Sequence, residues 1–150
     1  MKVYRAIFAV IFSLSFVFLN ASANAQTADV NGSYVGSVKL TKKRAIVNVR
    51  NTRLKCTASK VPALVGYIVT QEGQNISVYN INYELIFAGK ATATGFSAKT
   101  RGASLQISLG MNDIAKATLK SRLTLAKGVS CEFTYKGDLA FYPDFTYIPF

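Results

Sequence analysis

From residue 30 onward, apolar and polar side chains alternate along most of the chain. Tyr34, Gly36, Val38 and Leu40 alternate with Ser33, Val35, Ser37 and Lys39. A period of two puts successive side chains on opposite faces of a strand, so one face is buried and the other is wet. Lys42-Lys43-Arg44 then reads as a turn. Ala45, Val47 and Val49 alternate with Ile46, Asn48 and Arg50, and Leu54, Cys56 and Ala58 alternate with Arg53, Lys55 and Thr57, until Pro62 breaks the run. Leu64–Thr70 and Ile76–Asn82 flank the polar, glycine-containing Gln71-Glu72-Gly73-Gln74, which predicts a hairpin. Tyr83–Phe87 and Thr92–Lys99 lie on either side of Gly89, and Arg101-Gly102 predicts the next turn. Leu105, Ile107 and Leu109 continue the pattern. In the last long strand Cys131, Phe133, Tyr135, Gly137, Leu139 and Phe141 face one way and Glu132, Thr134, Lys136 and Asp138 the other.

Residues 111–128 admit two readings. Asn112 or Asp113 could cap a helix that ends at Gly128, with Ala115, Leu119, Leu123 and Ala126 at helical spacing. That helix would carry Arg122 on its apolar face. A strand over about 114–125 instead sets Ala115, Ala117, Leu119, Leu123 and Leu125 against Lys116, Thr118, Lys120, Arg122 and Thr124, with Lys127-Gly128 as the turn, and is the assignment adopted. The whole predicts an all-β domain of about eight to ten antiparallel strands, closed as an up-and-down barrel or packed as a sandwich.

The first 25 residues break this pattern. Lys2 and Arg5 precede the apolar run Ala6–Leu19, and Ala21-Ser22-Ala23-Asn24-Ala25 supplies small residues at cleavage-site spacing. Positive, then apolar, then small is the order of a secretory signal peptide, and the run is short for a membrane span. Cleavage is expected after Ala25, with Ala23 the near alternative, leaving one domain over residues 26–150. The net charge of +11 drops by two when Lys2 and Arg5 leave. The protein is expected to be exported, periplasmic or extracellular, with the outer membrane as the alternative. In that setting Cys56 and Cys131 read as a disulfide; their separation lacks the C-x-x-C spacing of a redox pair.

Two short stretches carry a family likeness. Asn31-Gly32-Ser33-Tyr34-Val35-Gly36 resembles the G-x-[WY]-x-G opening of small exported lipocalin-like barrels, with Tyr34 where lipocalins and avidins usually carry Trp. Val69–Ile76 is similar to a hairpin common in such bacterial domains. The resemblance implies a calycin-type barrel and carries over no functional residue.

Composition narrows the chemistry. The absence of His removes His-based triads and His metal ligands, and two cysteines cannot build a four-cysteine zinc site. Glu132 and Asp138, the acids that share a predicted strand face, sit about 20 Å apart at strand rise, too far for a glycosidase pair. No enzyme, cofactor or metal is expected, and the chain reads as an exported binding module. The first reading is an apolar or amphiphilic ligand enclosed by Tyr34, Tyr67, Phe133, Tyr135 and Phe141. The second is adhesion to an anionic envelope component through Lys42, Lys43, Arg44, Arg50, Arg53, Lys55, Lys116, Lys120 and Arg122. The third is a small outer-membrane barrel, suggested by the aromatics near the C-terminus that end at Phe150. Nucleic acid is the least expected partner of an exported chain.

Overall fold

The computed structural model describes residues 26–47, 55–58 and 61–145. The signal-peptide expectation, Arg50, Arg53 and Phe150 lie outside the described residues. Eight strands follow one another: β1 (Gly32–Val47), β2 (Ala63–Glu72), β3 (Asn75–Tyr79), β4 (Leu85–Thr92), β5 (Gly95–Thr100), β6 (Ala103–Leu109), β7 (Ile114–Ala126) and β8 (Val129–Tyr142). Each pairs antiparallel with its sequence neighbour, and β8 closes on β1. The result is a closed up-and-down barrel, not a sandwich, and its order is consistent with a lipocalin-like fold. The strand reading of 114–125 holds, as do the turns at Gly73-Gln74, Arg101-Gly102 and Lys127-Gly128.

Three local expectations are corrected. Lys42-Lys43-Arg44 is not a turn: β1 runs straight on to Val47, and the register slips by one residue between Leu40 and Lys42. That bulge leaves Thr41 opposite no partner, and its hydroxyl donates to the Thr134 carbonyl at 3.0 Å. A bulge adds a residue to one strand, bends it and reverses which residues face inward. Gly89 is not at a turn but inside β4, where a side-chain carbon would collide with the Ser97 carbonyl oxygen. Lys55–Ala58 form no strand. Cys56 bonds instead to Cys131 on β8, with Cα atoms 5.7 Å apart, so the disulfide pins this segment to the barrel.

The core is the barrel interior. Tyr34, Val38, Tyr67, Val69, Ile76, Val78, Phe87, Phe96, Leu105, Ile107 and Leu139 form one buried cluster with Ala98, Ala115 and Ala117. A smaller cluster of Cys56, Cys131 and Phe133, joined by Leu40, Ala58 and Tyr135, sits at the disulfide. The two ends differ. Residues 26–31 plug one end: Ala28 N–H donates to the Thr92 carbonyl, Val30 N–H to Gln71 Oε1, and Gln71 N–H to Asn31 Oδ1. Val30 is fully buried there. At the other, stapled end β1, β7 and β8 outrun the rest. The last β1–β2 pair is Val38 with Ala63, whereas β1 and β8 stay paired to Val47 and Val129.

Candidate functional site

All five aromatics proposed to line a ligand cavity point inward. Tyr34 lies opposite both Tyr67 and Phe141 in the ladder. Its ring stacks on Phe141 at 4.7 Å between centroids and meets Phe96 edge-on at 5.9 Å. Its hydroxyl donates to the Val30 carbonyl at 3.0 Å. Burial pushes the Tyr34 phenol well above its ordinary range, with a smaller push from the nearby Asp29 carboxylate, and burial alone holds Tyr67 at about 12. Phe133 and Tyr135 pack beside the disulfide. These rings occupy the interior themselves: Tyr34, Phe96, Ile76, Leu105 and Ile107 are at most 1% exposed. A guest would have to displace them.

The outer wall is different. Cross-strand register sets its side chains in rows, and neighbours in a row stand roughly 5 Å apart. One row runs Lys99, Ser104, Lys120, Thr134, Lys42 across β5, β6, β7, β8 and β1. The row beside it runs Ser97, Gln106, Thr118, Lys136, Lys39. On the stapled side follows Arg122, Glu132, Arg44, with Arg122 Nε donating to Ser130 Oγ at 3.0 Å. Together they shape a concavity of about 670 Å³ lined by Thr41, Lys42, Arg44, Gln106, Thr118, Lys120, Glu132, Thr134 and Lys136. Ammonium and guanidinium groups there stand beside hydroxyl and amide side chains, the donor set that phosphate oxygens accept from.

The predicted basic patch is therefore partly gathered and partly dispersed. Lys42, Arg44, Lys120 and Arg122 meet on this wall. Lys116 sits toward the plugged end, opposite Asp138. Lys43 turns to the inner side, opposite Phe133, because the bulge reverses the alternation. Lys55 belongs to the stapled segment. Lys99 joins the wall, as do Lys39 and Lys136, which lay outside the predicted patch. Lys136 was legible as a polar-face residue of β8; what was missing was the register that sets it between Thr118 and Lys39.

Among the described residues no group of three or more metal-ligating side chains converges. No family model, no curated protein and no solved structure matches this chain. Fold and surface chemistry therefore define it as a closed, disulfide-stapled β-barrel with a packed interior and a basic outer wall. Its disulfide is consistent with an oxidising compartment.

Proposed function

We propose that the protein is an exported, non-catalytic module that binds a phosphate-bearing component of the cell envelope through the outer wall of β6, β7, β8 and β1. The observation that carries this reading is the concave row of Lys120, Thr134 and Lys42, bordered by Lys136 and Arg44 and opposed there by the single acid Glu132. A polyanion laid along the row meets cations on every second strand, roughly 10 Å apart. The arrangement of faces supports it over a membrane-spanning barrel, which turns apolar side chains outward and polar ones inward. Here a buried apolar cluster fills the interior, and Lys39, Lys42, Lys99, Lys120 and Lys136 stand outside.

The test is retention of a soluble inorganic polyphosphate by the folded protein. Replacing Lys42, Lys120 and Lys136 together by Ala should weaken binding at least tenfold and flatten its salt dependence, since a cation near an anionic surface contributes about 1 kcal/mol. All three side chains are exposed, so the barrel should keep its melting temperature. Unchanged affinity in a folded triple variant would overturn the reading.

A further inference from the structure

The stapled end carries a second signal that the basic wall does not explain. The β7–β8 hairpin extends past the β5–β6 turn, its last tie there being the Arg122 N–H to the Gly102 carbonyl. From Ser121 to Ala126 it projects roughly 15 Å at strand rise. At that tip Leu123 and Leu125 are 55% and 52% exposed. A register slip between Thr124 and Ala126 makes Leu125 an extra residue in the strand. Cations flank these leucines along the chain, Arg122 before them and Lys127 in the turn, and Arg44 of β1 stands in the same row as Arg122 with Glu132 between the two. On the other side of the same end, Asn80 accepts from the Asn82 and Glu84 N–H groups, building a loop that holds Tyr83 outward at φ 60° and 67% exposed. A left-handed tyrosine is strained, so the loop holds the ring outward against a local preference.

Charge is distributed along the same axis. Asp29, Glu72, Asp113 and Asp144, four of the chain's seven acids, lie at the plugged end, in residues 26–31 or at the turns and strand ends beside them. The stapled end carries Lys43, Arg44, Lys55, Arg101, Arg122 and Lys127 against Glu84 and Glu132, while only Lys90 and Lys116 among the described cations lie toward the plugged end. A molecule positive and apolar at one end and acidic at the other aligns in the field of a negative surface. Exposed leucines flanked by lysine and arginine are the chemistry of interfacial insertion: cations reach headgroup phosphates while the apolar tip enters the acyl boundary. The geometry points to the stapled end as a membrane-docking end, which seats the β7–β8 tip in a bilayer of anionic lipid. This rests on the anion-binding reading for its source of charge, but adds the bilayer as the partner and fixes which end meets it.

The chain has no Trp, so one introduced indole reports without background. Leu125→Trp places it at the tip; Met111→Trp places it at the opposite end, where Met111 is 88% exposed. With vesicles containing phosphatidylglycerol, Leu125→Trp should shift its emission to the blue and resist quenching by aqueous iodide, while Met111→Trp should not change. Leu123→Ser/Leu125→Ser should lose vesicle binding at least tenfold yet keep polyphosphate binding. A blue shift at both ends, or none at Leu125→Trp while polyphosphate still binds, overturns the docking pose alone. Vesicle binding that survives the leucine changes but falls with the Lys42, Lys120 and Lys136 changes also overturns it, leaving a purely electrostatic adhesion. Polyphosphate binding that the Lys42, Lys120 and Lys136 changes leave intact strikes the earlier proposal instead.

Discussion

A single tyrosine ties the plug to the barrel. Tyr34 fills the interior with its ring and holds the Val30 carbonyl with its hydroxyl, so it joins packing to end closure in one side chain. Tyr34→Phe keeps the ring but orphans that carbonyl, and should cost about 1 kcal/mol in denaturant unfolding at neutral pH. The same burial makes a pH prediction. A phenol raised in the folded state stays protonated there while the unfolded chain begins to ionise near pH 10, so its stabilising effect is complete below pH 10 and fades above it. Folding stability should therefore fall as pH climbs from 10 through about 12, the window given by Tyr67. The double variant Tyr34→Phe/Tyr67→Phe should show a shallower fall in urea midpoints across that range. Both tyrosines were legible in the sequence as inward residues, because strand alternation alone determines facing. That they pack against one another in the interior was not legible, since the volume enclosed depends on how eight strands tilt and close.

The strands themselves were read well where alternation was strict and badly where a cluster of charge imitated a turn. Lys42-Lys43-Arg44 looked like a break because consecutive cations spoil any two-sided pattern. The barrel accommodates them by inserting Thr41 as a bulge, which sends Lys42 and Arg44 outward and Lys43 inward. No periodicity test detects a one-residue slip of this kind in advance. Gly89 misled in the opposite sense, as glycine suggests a turn, yet here it permits two strands to approach. Gly137 does the same between β8 and β1: an added methyl would meet the Ser37 carbonyl oxygen. Gly137→Ala should thus separate the closing strands and destabilise the protein by roughly 1–3 kcal/mol, read from the shift in denaturation midpoint. If it leaves the midpoint unchanged, the β1–β8 seam is looser than this packing requires.

At the scale of the molecule, closure and the staple act on the same seam. The disulfide links β8 to a segment 75 residues earlier in the chain. In the chain-entropy model a loop of that length is worth about 4 kcal/mol, so reduction, or Cys56→Ser/Cys131→Ser, should lower unfolding stability in urea by that amount and steepen the slope, as the uncrosslinked denatured chain exposes more surface. The pairing was legible from cysteine count and the expected export. The basic wall was legible only in part, in Lys42, Arg44, Lys120 and Arg122, because its members come from five strands and meet only through register. Closure has one further outcome. A complete barrel has no sheet edge, but β1 beyond Val38 pairs no β2 residue among those described, and β7 beyond Ser121 has only the Gly102 contact on its β6 side. These two margins are where another extended chain could add itself as a strand. They carry Lys39, Lys42, Lys43 and Arg44 on one side and Arg122 on the other, and a second copy approaching in register would bring cation against cation. The same cations that are proposed to meet an anionic partner would thereby set copies of the protein against one another, and low salt should strengthen that repulsion.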